Sequence, residues 1–471
     1  MSAQAVSHLA PERLEVTYVS HLACLSCCSH ISQEQSTPMA ELKSGRGPTT
    51  GVRADDVLRH NVKLLALGGA WPPSERRGLR RLFPLYTATI YFCQSATIAM
   101  GIWLTYDLWG DVDEIMLTYV NTFTLLGGYI KLIYFSRDVR GYRELVSILR
   151  NVAREQWPYC ENDAKLMAIF TGAYRKGLWL TFGPLVYLNI LGPTWFFMPL
   201  ILRAFGSEER LLPFVNLRES VTNIFPLYVA IYVVQVYCMF FWNIISVGLD
   251  MFFVTSMVHV AAQLKILNER LSNLGEDPPH GDYGAVLDRQ IMRGFVNPQK
   301  RPFSCDRRQR DMYEELRNCI KTHQHILSSL KKLQRVMSPV AMTQFMCSAS
   351  GACITLFQAT FNPEGNSTLK CLIFLPLPAF QIFIYCWAGH EIVYQEELLS
   401  VSGYGSAWVG ASRRISVVLH ILMCNAQKPL RLTAGKFYPV NRDTFVTLIN
   451  ASYTFYTLMR QTRDQGSTVQ T

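Results

Sequence analysis

Charge is what this sequence has least of. Only 17% of its 471 residues are Asp, Glu, Lys or Arg, against about 25% in ordinary soluble domains. No apolar core of about 7–15 residues follows a basic start near the N-terminus, so a cleaved secretory leader is not expected. Catalytic signatures are absent as well: there is no Gly-x-Ser-x-Gly, His-Glu-x-x-His or P-loop, and Gly403-Tyr404-Gly405 is a lone Gly-x-Gly with no strand before it. Cys24, Cys27 and Cys28 look like half a metal site, but no second pair follows at usable spacing. Zinc is therefore not expected there, and palmitoylation is an alternative that nothing else in the sequence supports. None of the 13 cysteines falls inside a predicted outer loop, so no structural disulfide is expected. These gaps exclude a soluble enzyme, a disordered chain and a disulfide-stapled secreted module.

What is present is apolar residue in blocks of about 20, the length that crosses roughly 30 Å of hydrocarbon. Seven such blocks predict spans at about 84–104, 115–135, 178–202, 224–249, 337–359, 371–390 and 443–459. The fold class expected is an all-α membrane protein of seven transmembrane helices. Residues 1–52, rich in Ser, Gln and Gly, are expected to be a disordered extension. Residues 53–462 would form the seven-helix unit and 463–471 a short tail. The seventh span is the least apolar, with Thr447, Asn450, Ser452 and Thr454 among its Phe and Tyr. A span too polar to face lipid all round faces protein or water, so it is a candidate pore wall, with an ordinary bundle helix as the alternative.

The net charge of +10 raises the question of nucleic acid, and the placement of the charges answers it. Of the 45 Lys and Arg, 37 lie before span 1 and between spans 2–3, 4–5 and 6–7, whereas six lie on the opposite side. That asymmetry predicts a cytoplasmic N-terminus and, after seven crossings, an extracellular C-terminus. A G-protein-coupled receptor needs the reverse orientation. Its other marks are missing too, with no Asp-Arg-Tyr at the end of span 3 and no Asn-Pro-x-x-Tyr in span 7. The sequon Asn366-Ser367-Thr368 falls between spans 5 and 6, on the predicted outer face, and makes Asn366 a glycosylation candidate.

On the basic side the helical pattern runs past the membrane. Residues 250–274, 311–336 and 391–441 are expected to extend the spans into a cytoplasmic anchor whose half-apolar faces assemble subunits. His323 and His325 are two residues apart, so on a helix they point to different sides and are not expected to share a metal. The basic run Lys300–Arg310 reads as a solvated loop near anionic lipid, and no nucleic-acid site is expected. Lys131, near the end of span 2, is expected to snorkel outward. Tyr228, Tyr232, Trp195, Phe123, Phe380 and Phe383 fall in the outer halves of spans 2, 3, 4 and 6. They suit either a cleft for a small hydrophobic ligand or plain bundle packing.

The segments IYCWAGHEIVYQEELLSVSGYGSAWVG (384–410) and MCNAQKPLRLTAGKFYPVNRDTFVTLINASYTFYTLMRQ (423–461), with ALGGAWP (66–72) and NCIKTHQHIL (318–327), carry a resemblance to a known family. The sequence resembles the insect odorant receptors from about residue 55 to 461. The resemblance implies an odorant-gated, non-selective channel for monovalent and divalent cations, in which four similar subunits surround a pore. It also implies a plasma-membrane protein of olfactory sensory neuron dendrites, with no cofactor and no enzymatic activity. NASYTFYTL is similar to the signature of tuning subunits, so the partners implied are a small volatile hydrophobic odorant, membrane lipid and a coreceptor subunit. The assembly would be a hetero-tetramer, with a homo-tetramer as the alternative.

Carried over residue by residue, Leu458 stands at the family's hydrophobic gate and Gln461 at its pore glutamine. Thr462 and Arg460 stand where the coreceptor has leucine and valine. A cation at the mouth repels permeating cations unless it points away. Asp107, Asp111, Asp113 and Glu114 between spans 1 and 2 are either a cation-concentrating ring or a solvated loop. Val120, Phe123 and Thr124 match the spacing of a family pocket stripe on span 2, and Trp195 resembles a pocket tryptophan on span 3. Tyr232, Phe380 and Phe383 complete the implied ligand-binding set. The alternatives are a gustatory-type channel of the same superfamily and, further off, the G-protein-coupled receptor or a secondary transporter.

Overall fold

The computed structural model describes residues 52–72, 77–108, 112–204, 212–214, 223–275, 303–361, 376–428 and 430–469, all within one compact unit. After a short 3-10 turn at Ala54–Asp56 the elements run α1 (Arg59–Leu67), α2 (Arg77–Asp107), α3 (Val112–Arg137), α4 (Val139–Asn162) and α5 (Ala164–Ala204). They continue with α6 (Phe225–Ser272), α7 (Phe303–Phe361), α8 (Pro376–Tyr404), α9 (Arg413–Ala426), a hairpin of β1 (Thr433–Ala434) and β2 (Tyr438–Pro439), and α10 (Arg442–Val469). The seven apolar blocks fall in α2, α3, α5, α6, α7, α8 and α10, the sixth in part because 362–375 lie outside the described residues, as does Asn366. Cys24, Cys27 and Cys28 lie outside them too. Among the described residues, α6 and α7 are long and apolar enough by themselves to cross a membrane. In α2 and α3, buried Gln94, Thr97, Thr118 and Thr122 interrupt the apolar run.

At 48 residues α6 is about 72 Å long, and at 59 α7 is about 88 Å, each far more than a bilayer's core requires. The excess gathers at one end of the molecule, here called basal, together with α4, α9 and the hairpin. There α6 is the axis, packed by α5, α8, α7, α4 and α1. Every residue from Ile244 to Leu264 is buried, which is what a helix apolar all round requires.

Pattern reading found no helix at 139–162, yet α4 is strongly two-sided. Tyr142, Leu145, Val146, Leu149, Val152, Ala153, Gln156 and Cys160 are buried at helical spacing. Asp138 starts the helix by accepting the Gly141 N–H at 3.0 Å, a cap that satisfies one orphan donor of the first turn. Tyr142 then enters an aromatic cluster, 4.3 Å from Phe135 and 5.6 Å from Phe253 between ring centroids. Trp71, from the ALGGAWP segment, joins the same cluster 5.9 Å from Phe135. Gly69 makes that approach possible: its φ is +72°, and a Cβ there would lie 2.6 Å from Ile90. The basic run is not a loop throughout, because α7 already begins at Phe303.

The C-terminal block explains how α10 is set in place. The Gln334 side chain of α7 brackets Thr433, donating to its carbonyl at 2.9 Å and accepting its N–H at 2.8 Å. Gly435 donates to the Ser338 carbonyl at 3.0 Å. On α8, Gly389 leaves room for Val440, whose carbonyl would lie 2.4 Å from any Cβ there. Asn441 Oδ1 then accepts the Thr444 N–H at 2.9 Å and opens α10.

Candidate ligand cleft and gate

Val120, Phe123 and Thr124 lie half-buried on α3. The Thr124 hydroxyl donates to the Val120 carbonyl at 2.7 Å, so it is satisfied within its own helix. Phe123 stacks on Tyr119 with centroids 5.5 Å apart and planes at 9°. The half-buried Tyr232 of α6 lies 5.9 Å from Tyr228. The short segment at Phe214 ties these two helices: its N–H donates to Gln235 of α6 at 3.0 Å, and its carbonyl accepts from Asn121 of α3 at 3.5 Å. Beneath it sits a satellite cluster of Ile98, Leu125 and Cys238, separate from the main core. The α3 stripe and Tyr232 thus belong to one distal assembly.

The α8 aromatics belong elsewhere. Phe380 and Phe383 pack on the main core, and the Phe383 ring meets Phe445 of α10 at 5.5 Å, edge to face. Trp195 is on α5, with its side chain outside the described residues, and the same holds for Thr462 on α10. Asp113 and Glu114 open α3, Asp107 ends α2, and Asp111 is outside the described residues.

On α10 one face is held: Thr444, Leu448 and Ser452 are buried, and Ser452 donates to the Ala349 carbonyl of α7 at 3.4 Å. Thr447, Asn450, Thr454, Leu458 and Gln461 are exposed. At about 100° per residue these five share one face about 80° wide, and Arg460 lies about 120° around the helix from its centre.

Lys131 does not snorkel. It is 1% exposed and Asp250 0%, and Lys131 Nζ donates to Asp250 Oδ2 at 2.8 Å and Oδ1 at 3.0 Å. Ser246 and Gln344 accept from it as well, and Tyr385 OH donates to Asp250 Oδ1 at 3.0 Å. The expectation failed because the counter-ion stands one residue past the apolar block of span 4. The signal was there: a lone cation in one apolar run and a lone carboxylate at matching depth in another form a pair.

At the basal end the two histidines part as their spacing requires. His323 Nε2 meets the buried Glu396 at 2.8 Å, and the exposed His325 Nδ1 meets Glu155 at 2.8 Å. Among the described residues no group of His, Cys, Asp and Glu has the makings of a metal site. Burial pushes the Cys319 thiol up to about 12 and Cys160 up to about 11, which leaves both protonated and unreactive. A cleft of about 420 Å³ between α8, α9 and the hairpin is lined by His390, Glu396, Lys428 and Arg431 among others.

A family model described as 7tm Odorant receptor matches residues 111–453. Odorant receptor Or2 of Anopheles gambiae is 22% identical over 76% of this chain and 86% of its own length. Odorant receptor 13a of Drosophila melanogaster is 23% identical over 84% of this chain and 93% of its own. The solved insect olfactory receptor OR5 of Machilis hrabei, in complex with eugenol, has the same fold. It superposes with a TM-score of 0.68 at 17% identity, covering 86% of this chain and 97% of that one. With a family model spanning the α3 stripe, Tyr232, the buried pair and the first part of α10, this chain belongs to the 7tm odorant receptor family, multi-pass membrane receptors of olfaction rather than enzymes.

Proposed function

We propose that this chain is the odorant-binding subunit of a ligand-gated, non-selective cation channel of the plasma membrane, in olfactory neuron dendrites. It assembles as a hetero-tetramer with a coreceptor, N-terminus inside and C-terminus outside. The observation that carries this reading is the α10 stripe. Thr447, Asn450, Thr454, Leu458 and Gln461 line up exposed on the face away from α7, and a polar stripe within a membrane bundle faces water or a neighbouring subunit. Leu458 is 57% exposed on that face, so four copies around an axis would form an apolar ring that closes by dewetting. Arg460, turned away from the stripe, leaves the path free of a repelling cation.

A small volatile odorant binds in the distal assembly beside Val120, Phe123, Thr124 and Tyr232, and the family resemblance adds Trp195 to this set. Phe380 and Phe383 act as the relay to α10 rather than as first contacts. The ligand opens the pore by its better affinity for the open state. The test is whole-cell recording from cells expressing the chain with and without a coreceptor, against an odorant panel. Leu458→Ala is expected to raise basal current about fivefold, the effect of roughly 1 kcal/mol on the open–closed ratio. Unchanged basal current would remove Leu458 as the gate. An antibody against a C-terminal tag that reaches its epitope only after permeabilisation would overturn the topology.

A further inference from the structure

We propose that Lys131, Asp250 and Gln344 are positioning residues for gating: a buried polar latch that holds the ligand-stripe helix to the helices supporting α10 and favours the closed pore. The proposal rests on the channel reading and assigns a role to residues that bind neither odorant nor ion.

The latch joins four helices. Lys131 comes from α3, Ser246 and Asp250 from α6, Gln344 and Ser348 from α7, and Gln381 and Tyr385 from α8. Lys131 and Asp250 are bonded twice, and Gln344 accepts from Lys131 through Oε1. Gln344 Nε2 donates to Gln381 Oε1 at 2.5 Å and to Ser348 Oγ at 2.7 Å. None of the fully buried side-chain N and O atoms among these residues is left without a partner. A network whose buried atoms are all satisfied fixes one arrangement sharply, and loses much when one member moves.

Stability alone does not account for it. A buried ion pair replaced by apolar residues of like volume is often neutral or stabilising, whereas one partner removed alone is strongly destabilising. Charged groups inside a membrane bundle are costly, and their retention points to a task.

Placement supplies the task. Lys131 is two turns, about 10 Å, along α3 from Thr124. Asp250 and Ser246 are on the helix that carries Tyr232. On α7, Ser348 directly precedes Ala349, the acceptor of the Ser452 hydroxyl of α10, and one turn further Cys353 lies 3.8 Å from Met459 of α10. On α8, Gln381 and Tyr385 flank Phe383, whose ring rests on Phe445 of α10. The latch therefore lies between the stripe and both supports of the gate helix. Coupling needs an element with two discrete arrangements that both sites bias, and a hydrogen-bonded cluster, made or broken, is such an element. Any movement of α3 against α6 strains the Lys131–Asp250 bonds and releases Gln344, and α7 with it, to shift against α10.

The experiment measures basal sodium current per subunit at the cell surface, in cells expressing the full chain with its coreceptor and with surface protein quantified by biotinylation. Lys131→Met with Asp250→Leu removes the latch without stranding a charge. Basal current is expected to rise about fivefold or more, the low end of ordinary coupling energies. The exchange Lys131→Asp with Asp250→Lys re-forms the pair and is expected to return current toward the unsubstituted level. A merely structural role would change surface amount and leave current per subunit constant, and that result overturns the latch. Should the apolar double variant stay inside the cell, Tyr385→Phe and Gln344→Leu, which strand no charge, decide instead. Each is expected to raise basal current, and no rise in either overturns the proposal. Absence of any current from the unsubstituted chain overturns the channel reading and the latch together; current that ignores the latch overturns the latch alone.

Discussion

The two halves of the molecule can be compared along a single helix. In the distal part of α6, Val229, Val233 and Phe240 are 41%, 59% and 43% exposed. From Ile244 to Leu264 no residue is exposed at all. The basal half owns a closed protein core, whereas the distal half exposes apolar surface in the single chain and, among the described residues, has the small separate cluster of Ile98, Leu125 and Cys238 between helices. Lipid tails are as apolar as leucine, so distal helices gain little from burying such surface against each other. That half can shift at low cost, as a site that must rearrange around a ligand requires. The latch of Lys131 and Asp250 lies at the border between the two.

The largest effect that tests the contrast is expected from the basal core. Phe253 is fully buried and its ring is packed by Tyr142 and Phe252. Phe253→Ala removes a buried aromatic from a tightly packed site, which costs about 3–5 kcal/mol. A clear drop in the thermal midpoint in lipid nanodiscs, followed by tryptophan fluorescence, is the expected result. A midpoint unmoved by this substitution would mean that the basal core is not the stable half.

A slightly smaller effect is expected from pH, also basal. His259 lies ten residues beyond the predicted end of span 4, is 3% exposed, and its Nδ1 has no hydrogen-bond partner. Burial lowers its pKa from 6.5 to about 4. Between those values the unfolded chain takes a proton that the folded chain refuses. The contribution is therefore full above pH 6.5 and is lost as pH falls toward 4, about 3 kcal/mol in all. His259→Gln should flatten the midpoint's dependence on pH over that window, and an unchanged slope would show that His259 is not the group responsible.

Sequence alone made some of this legible and hid the rest for identifiable reasons. Long apolar runs mark the helices because a spanning segment has to satisfy its own backbone. Thr447, Asn450, Ser452 and Thr454 mark α10 as too polar to face lipid all round, but Ser452 turns to α7 while the other three share the exposed face. Helix α4 went unread even though Leu145, Val146, Leu149 and Val152 carry the same period, because Arg and Glu between them lower its mean hydropathy. Lys131 was misread because its partner is 119 residues away, and periodicity reports only neighbours along the chain. Depth and aromaticity do not say which way the Phe383 ring points, and its edge-to-face contact with Phe445 of α10 was not legible in the sequence.

The smallest expected effect is the one that sharpens the contrast most. Val233 lies one residue past Tyr232 on α6 and is 59% exposed in the single chain. If lipid covers it, Val233→Ala exchanges one apolar surface for a smaller one in an apolar solvent, and the midpoint should move by no more than about 0.5 kcal/mol would move it. A loss approaching that of Phe253→Ala would mean that protein covers Val233 in the assembled receptor. The distal half would then borrow its core from a neighbouring subunit, and an odorant loosening that surface would act on two chains at once. Comparing the variant as a purified single species and as the coreceptor complex separates these cases, since only a subunit contact makes the penalty depend on assembly.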